Sequence, residues 1–296
     1  MKTHIVVLGM GEIGSALSSI LEKKKHPVDS WDVISGKVHN QKTLFEIIPH
    51  ADILFLCVPS WGLPQVMKSI QPFVHAQTLV VGLSKGLQRE KSETTYDFLV
   101  RMLHPGQQVV LLAGAMLAEE LQKGMPGIGV VAGKNKKACE TICDLFKGSS
   151  LKLTSSTDVK GIAYAGALKN SYALGLGITE GINWGGNARA WFAYESFFEM
   201  EKIIKLLGGK KESFWGPAGI VDFIATGFSS YSKNAEWGRL FAAGKEALPQ
   251  SEGSISLESI AKLLRGNMDA FPLFQTIVRV AAKKEDAEGA FRKLLK

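Results

Sequence analysis

The sequence is poor in cysteine and has no long apolar run, and each shortage excludes a class of protein. Cys57, Cys139 and Cys143 are too few for the disulfide framework of a small secreted domain. Cys139 and Cys143 lie four residues apart on a predicted helix, with no further Cys or His close by in sequence to complete a zinc site. The best candidate for a membrane span, residues 109–118, is far shorter than the roughly 20 residues required. We therefore expect a cytoplasmic chain with free thiols, no signal peptide, no membrane insertion and no metal.

Positive charge is in slight excess but is not concentrated. The chain has 35 Lys and Arg against 28 Asp and Glu, a formal net charge of +7. Residues 1–153 carry 17 basic against 13 acidic side chains, and residues 154–296 carry 18 against 15. Nucleic-acid binding usually needs a concentrated basic stripe, which this even spread does not supply. The composition favours a globular protein that handles small anions.

The first half alternates apolar runs typical of strands with helical patterns. We predict strands at residues 5–9, 28–33, 53–58, 78–83, 109–112 and 128–131, with helices at 13–25 and 92–103. Helices of this length between strands imply right-handed crossovers and a mostly parallel sheet. The strands are almost wholly apolar, as in a doubly wound sheet that is covered on both faces. The sequence predicts an α/β domain at residues 1–153.

Beyond residue 153 the predicted pattern is helical throughout. Ser155, Ser156, Thr157 and Asp158 are candidate helix N-caps. Asn187 is placed to cap a long helix, and Gly208 and Gly209 mark where that helix ends. Later helices are expected at residues 232–243, 257–265, 271–281 and 285–295. The sequence therefore predicts an all-α domain at residues 154–296.

Three glycines lie where the first predicted strand ends and the first predicted helix begins. Gly9, Gly11 and Gly14 have the spacing that allows a tight turn and close approach of a pyrophosphate to the helix N-terminus. Asp32 follows at the end of the second strand, where a carboxylate can accept hydrogen bonds from a ribose 2′-hydroxyl and repel a 2′-phosphate. This pattern predicts a Rossmann-type dinucleotide-binding domain. NAD is the expected cofactor, and NADP stays open because Lys37 follows closely.

No histidine lies in the second half of the chain, which removes the commonest proton donor from that region. Lys169 is the candidate instead, because it lies in a largely apolar helical stretch. Desolvation there favours the neutral amine, as an acid or base working near neutral pH requires. A lysine whose stem packs while its ammonium group reaches water is the alternative.

The residues around Lys169 resemble those of the NAD-dependent glycerol-3-phosphate dehydrogenases. The similar segments run in the same order along most of the chain: residues 58–60, 84–87, 165–170, 175–177, 185–189, 219–226, 232–234 and 252–253. The resemblance implies reduction of dihydroxyacetone phosphate by NADH to sn-glycerol 3-phosphate. It also implies a role in glycerophospholipid metabolism and phospholipid synthesis, and a homodimer.

The resemblance implies roles for individual side chains. Lys169 would be the general acid in ketone reduction, and Lys85 a second cation beside the reacting carbonyl and the cofactor. Asp222 and Thr226, four residues apart, would orient Lys169 and the substrate hydroxyl. The other implied substrate contacts are Gly114, Asn170, Ser232, Lys233 and Asn234. The implied cofactor contacts are Gly9, Gly11, Glu12, Ile13, Gly14, Asp32, Lys85, Ala118, Lys233 and Glu252.

The chain departs from the family pattern near the cofactor and the substrate phosphate. Ile13 replaces an aromatic residue, Ala115 and Met116 replace Pro and Ser or Thr, Val221 replaces Gly, and Lys233 replaces Arg. Two other hypotheses therefore stay open. One is a related oxidoreductase that acts on another keto acid or sugar phosphate, and the other is a catalytically silent NAD-binding sensor.

Overall fold

A computed structural model describes residues 3–229, 232–244 and 251–295. Its contacts divide the chain into two units. The first comprises Met1–Lys85 and Thr94–Val159, and the second Gly86–Glu93 and Lys160–Lys296. The predicted division after residue 153 differs from this one because the chain continues as a strand of the first unit, and because the short segment 86–93 packs with the second unit.

The strands and the helices have the following bounds, each numbered in chain order. The strands are β1 (Ile5–Leu8), β2 (Val28–Trp31), β3 (Ile53–Leu56), β4 (Leu79–Gly82), β5 (Leu87–Gln88), β6 (Glu93–Thr94), β7 (Val109–Ala115), β8 (Gly127–Ala132) and β9 (Leu151–Ser156). The helices of the first half are α1 (Glu12–Lys23), α2 (Leu44–Ile47), α3 (Leu63–Ile70), α4 (Thr95–Met102), α5 (Ala118–Gln122) and α6 (Lys136–Phe146). The remaining helices are α7 (Val159–Gly181), α8 (Gly186–Leu206), α9 (Lys211–Phe214), α10 (Asp222–Gly227), α11 (Lys233–Ala242), α12 (Glu252–Leu263), α13 (Pro272–Ala281) and α14 (Ala287–Lys293).

The main sheet of the first unit has the order β2-β1-β3-β4-β7-β8-β9, and every neighbouring pair is parallel except β7 and β8. The mostly parallel, doubly wound α/β fold is thus confirmed. Because β2 and β3 lie on opposite sides of β1, the winding reverses at β1. In such sheets ligands bind beyond the carboxyl ends of the strands at the reversal. The glycine-rich turn after β1 lies at this place.

Strand β9 was not predicted. It pairs in parallel with β8, with Ser155 opposite Val131 and Ser156 opposite Ala132. The prediction that Ser155 and Ser156 are helix N-caps is therefore wrong. The segment has little apolar character beyond Leu151 and Leu153, and its residues are mostly half-buried or exposed. A strand that is only partly covered lacks the continuous apolar run by which the other strands were recognised.

Helix α8 begins two residues earlier than predicted and ends as predicted. Gly185 is its N-cap, so Asn187 lies within the first turn and does not cap the helix. At the other end Gly208 has φ +86°, and its N–H donates to the carbonyl oxygen of Lys205. Gly209 N–H donates to the carbonyl oxygen of Ile204. These paired bonds are those of a glycine-terminated helix.

A buried carboxylate connects three helices of the second unit. Glu199, on α8, accepts hydrogen bonds from the Tyr172 hydroxyl of α7 at 2.7 Å and from the N–H groups of Leu273 and Phe274 at 2.8 and 3.0 Å. The last two belong to the first turn of α13, whose N-terminal N–H groups have no partner within the helix. Burial raises the pKa of Glu199, although these hydrogen bonds act in the opposite direction. The side chain therefore caps α13 from inside the core.

Candidate active site

The glycine-rich turn between β1 and α1 is shaped by close backbone packing. Gly9 has φ +93°, and a Cβ atom there would lie 2.9 Å from the carbonyl carbon of Cys57. A Cβ on Gly14 would lie 1.9 Å from the carbonyl oxygen of Gly9. Around Gly11, by contrast, a Cβ would meet no atom within 4 Å. The two outer glycines are thus required by the fold, and the middle one faces open space.

The N-terminus of α1 has the properties of an anion site. Gly11 is the N-cap and supplies no side-chain hydrogen bond to the first turn. The first N–H groups of a helix lack partners within it, and the helix dipole favours negative charge there. Glu12 is exposed and Ile13 is half-buried beside this turn. The open space at Gly11 and the uncapped helix end fit the pyrophosphate of a dinucleotide.

Asp32 connects the end of β2 to the glycine-rich turn. Its Oδ2 atom accepts a hydrogen bond from the N–H of Met10 at 2.7 Å, and its Oδ1 atom accepts one from the N–H of Ile34 at 2.8 Å. The side chain is 6% exposed. Each carboxylate oxygen has a second lone pair, so these bonds are compatible with the predicted ribose contact. The sequence motif gave no sign of the bond to Met10.

Lys85 and Gly114, both predicted substrate contacts, lie together. Lys85 Nζ donates to the carbonyl oxygen of Gly114 at 3.0 Å. Gly114 lies in β7 with φ +136°, and a Cβ there would lie 2.5 Å from the carbonyl oxygen of Ile128. Next along the chain, Met116 and Ala118 are both buried. All four residues belong to the first unit: Gly114 lies near the end of β7, Met116 and Ala118 follow that strand, and Lys85 follows β4.

Three polar side chains of the second unit form a buried hydrogen-bonded cluster. Lys169 Nζ, on α7, donates to Asp222 Oδ1 at 3.1 Å and to Thr226 Oγ1 at 2.7 Å. The Thr226 hydroxyl in turn donates to Asp222 Oδ1 at 3.1 Å. Lys169, Asp222 and Thr226 are 4, 2 and 6% exposed. Buried charges in proteins are paired, and this lysine meets a carboxylate and a hydroxyl rather than water.

The position of Asp222 depends on an unusual turn. A π-helical segment, Pro217–Val221, precedes α10, which then places Asp222 and Thr226 on one face. A Cβ on Gly219 would lie 1.9 Å from the carbonyl oxygen of Phe214. Short π-helical segments are frequent at functional sites. The sequence predicted the shared face of Asp222 and Thr226 but not this turn.

The predicted phosphate contacts lie at the start of α11. Asn234 Nδ2 donates to Asn170 Oδ1 at 3.0 Å. Lys233 is exposed, whereas Ser232 is buried and accepts a hydrogen bond from the N–H of Ala235 as the N-cap of α11. This capping role of Ser232 was not predicted. Glu252, the first residue of α12, is half-buried.

The described residues contain neither a metal-ligand cluster nor a membrane-spanning helix. Across residues 3–229, 232–244 and 251–295, no three His, Cys, Asp or Glu side chains are grouped as a metal ion would require. Within the same part of the chain, no helix has the length and apolar character needed to cross a membrane.

Comparisons with known proteins agree along the whole chain. The sequence pattern of the N-terminal part of the NAD-dependent glycerol-3-phosphate dehydrogenases matches residues 32–139. The pattern of their C-terminal part matches residues 158–292. A glycerol-3-phosphate dehydrogenase (NAD(P)+) of Fusobacterium nucleatum is 29% identical, covering 98% of this chain and 96% of the relative. The enzyme of the same name from Acaryochloris marina is 31% identical, covering 85% of this chain and 81% of the relative.

The fold agrees as well. The crystal structure of the glycerol-3-phosphate dehydrogenase of Coxiella burnetii matches 100% of this chain and 99% of that chain, with a TM-score of 0.91 and 24% sequence identity. The family predicted from the motifs around Lys169 is confirmed by the family matches and by the 31% identity to the Acaryochloris marina enzyme. This chain belongs to the NAD-dependent glycerol-3-phosphate dehydrogenases, a family of NAD(P)-dependent oxidoreductases that act on a CH–OH group.

Proposed function

We propose that the chain reduces dihydroxyacetone phosphate to sn-glycerol 3-phosphate with NADH, and that Lys169 is the general acid. The buried cluster of Lys169, Asp222 and Thr226 is the observation that carries this proposal. A ketone reductase needs a proton donor for the alkoxide that forms on the carbonyl oxygen. Lys169 is a cation in a site from which water is nearly excluded, where a proton donor is most effective.

The neighbours of Lys169 support this role. The Asp222 carboxylate stabilises the ammonium form, and the Thr226 hydroxyl accepts a second N–H bond, so the direction of the amine is fixed. The reduced nicotinamide, when bound, supplies the hydride for the carbonyl carbon. Lys169 then gives its proton to the carbonyl oxygen and is left as a neutral amine, which solvent reprotonates. In the oxidation of the alcohol, the neutral amine takes the hydroxyl proton.

The residues of the first unit support the cofactor part of the proposal. The open space at Gly11 and the uncapped end of α1 suit a pyrophosphate, and Asp32 suits a ribose hydroxyl. For Lys85, the role implied by the resemblance, a second cation beside the reacting carbonyl, remains a prediction. The homodimer implied by the resemblance and the cytoplasmic location expected from the sequence also remain predictions.

The substrate phosphate is proposed to bind at the start of α11. Lys233 is exposed and can offer a positive charge, and the side-chain amides of Asn170 and Asn234 can offer directed hydrogen bonds. A lysine attracts a phosphate as a compact point charge, whereas an arginine grips it through two parallel bonds. This chain therefore depends on the two asparagines for orientation more than a chain with arginine would.

Absorbance of NADH at 340 nm tests the proposal directly. The purified chain is given dihydroxyacetone phosphate or ketopantoate with NADH, and phosphogluconate with NAD+. We expect the highest kcat/KM with dihydroxyacetone phosphate. A higher value with either other substrate would favour the related oxidoreductase. NADH binding without turnover of any of the three would favour the sensor.

A further inference from the structure

Gly253, the second residue of α12, lies against the side chain of Asn234. A Cβ atom on Gly253 would lie 2.5 Å from Asn234 Oδ1 and 3.1 Å from Asn234 Cγ. It would also lie 3.0 Å from the carbonyl oxygen of Asn170. The first distance is shorter than any carbon–oxygen contact in a relaxed structure. With the Asn234 amide where it is, only glycine fits at position 253.

Neither the φ angle of Gly253 nor the capping of α12 gives another reason for glycine at this position. Gly253 lies within a helix and is not among the glycines with positive φ. Ser251 already caps the helix by accepting a hydrogen bond from the N–H of Ser254 at 3.1 Å. Alanine would favour the helix over glycine by about 1 kcal/mol. The absence of a side chain thus serves the neighbouring Asn234 rather than α12.

The Asn234 amide controls the direction of the Asn170 amide. Asn234 Nδ2 donates to Asn170 Oδ1 at 3.0 Å, so the Asn170 oxygen faces Asn234 and its NH2 group faces away. Asn170 is 3% exposed and lies next to Lys169 on α7. An amide in a pocket can bind through its oxygen or its NH2 group, and an anionic substrate requires the NH2 group. The bond from Asn234 selects this orientation.

Asn234 Oδ1 is itself a buried acceptor with no hydrogen-bond partner among the described residues. It faces the Cα–H group of Gly253, which can offer it only a weak contact. Because no strong bond holds the oxygen, the space left by the missing Cβ is what allows the amide to stay there. A methyl group would displace the amide, which is the free end of a flexible side chain. The carbonyl oxygen of Asn170, at 3.0 Å, would need to move by only a few tenths of an ångström.

We propose that Gly253 is a positioning residue for the anionic substrate. It acts through Asn234, which turns the NH2 group of Asn170 toward the bound ligand. This inference rests on the proposed function, since it assigns a positioning role at the same substrate site. It predicts that a Cβ at position 253 weakens substrate binding while the fold and NADH binding persist.

The test compares Gly253→Ala with Gly186→Ala, both within the first turn of a helix. A Cβ on Gly186 would meet no atom within 4 Å, so this variant is a matched control. We expect Gly253→Ala to raise the KM for dihydroxyacetone phosphate about 10-fold, the worth of one hydrogen bond to a charged group. Its NADH Kd should equal that of wild type, and its Tm should not fall, because alanine favours the helix over glycine. Gly186→Ala should leave the KM unchanged.

A double-mutant cycle with Asn234→Ala separates positioning from a general structural effect. With Asn234 shortened to alanine, the clash with the amide is gone and only the 3.0 Å contact with the Asn170 carbonyl oxygen is left, so Gly253→Ala should then change the KM by less than 2-fold. Two results would overturn the inference, provided that the wild-type chain reduces dihydroxyacetone phosphate. One is an unchanged KM in Gly253→Ala, and the other is a full 10-fold rise in KM when Gly253→Ala is added to Asn234→Ala. A wild-type chain that does not reduce dihydroxyacetone phosphate would overturn the proposed function, and this inference with it.

Discussion

The carboxylate of Asp32 accepts a hydrogen bond from the N–H of Met10 at 2.7 Å, and this bond ties the end of β2 to the glycine-rich turn. The same carboxylate is the predicted contact of the ribose 2′-hydroxyl. Asp32 holds the glycine-rich turn through this bond, and we predict a second role for it in discriminating between NAD and NADP. A substitution at this position should therefore affect both the turn and the choice of cofactor.

The first prediction concerns the choice of cofactor. The negative charge of Asp32 should repel the 2′-phosphate of NADPH, so wild type should have the higher kcat/KM with NADH. Asp32→Ala should narrow the gap between the two cofactors. It should also raise the KM for both, because the bond to Met10 is lost. Steady-state kinetics with both cofactors provide the check. A wild-type chain with the higher kcat/KM for NADPH would show that Asp32 does not contact the ribose.

The second prediction concerns the substrate phosphate. Lys233→Ala should raise the KM for dihydroxyacetone phosphate far more than the KM for NADH, because the point charge that attracts the phosphate is gone. Lys233→Arg should keep the activity or lower the KM, since arginine can grip a phosphate with two bonds. Equal use of unphosphorylated dihydroxyacetone, with no effect of Lys233→Ala, would show that the site does not recognise phosphate.

The sequence predicted elements whose signals are local. Strands β1, β3 and β4 were found because they are continuous apolar runs, and the end of α8 was found because two glycines follow it. Strand β9 was missed because it is only partly buried, and its serines suggested helix caps instead. Such a strand is defined by its pairing with β8, which the local pattern does not contain.

The same distinction holds for the candidate site. The glycine spacing and the four-residue spacing of Asp222 and Thr226 are local, and both agree with the structure. The bond from Met10 to Asp32 and the fit of Gly253 against Asn234 join segments that are distant in sequence. Nothing in either segment alone indicates its partner, so these relationships appeared only in the folded chain.

The third prediction concerns stability. Glu199→Ala should lower the free energy of unfolding by about 2–4 kcal/mol, because it leaves the N–H groups of Leu273 and Phe274 without a partner in the core. Glu199→Gln should also destabilise, since one acceptor oxygen becomes an NH2 group that faces donors. Urea unfolding of both variants against wild type measures the effect. A loss below about 0.5 kcal/mol in both would show that α13 does not need this cap.

The fourth prediction concerns the thiols. Burial raises the pKa of Cys57 to about 12 and that of Cys143 to about 11, and it also raises the pKa of Cys139. Because these values lie above neutral pH, the unreactive thiol form should predominate in the folded protein. At pH 8 we expect iodoacetamide to alkylate the native chain much more slowly than the urea-unfolded chain. Equal rates would contradict the assigned environments.

Lys169 is the centre of the proposed mechanism, and two variants separate its charge from its proton. Lys169→Met removes both and leaves Asp222 unpaired in the core, so its Tm must be measured. Lys169→Arg keeps a cation for Asp222 but does not release a proton, because an arginine stays protonated in proteins. Lys160 is an exposed lysine near the start of the same helix, and Lys160→Met is the matched control.

The most direct test is the kcat of these variants for reduction of dihydroxyacetone phosphate, with the NADH Kd measured on the same samples. We predict that Lys169→Met and Lys169→Arg each lower kcat by about 100-fold or more, the usual worth of a positioned acid. Their NADH Kd should stay near that of wild type, and Lys160→Met should match wild type in both. A kcat within a few-fold of wild type in a folded Lys169→Met variant would contradict the assignment of Lys169 as the proton donor.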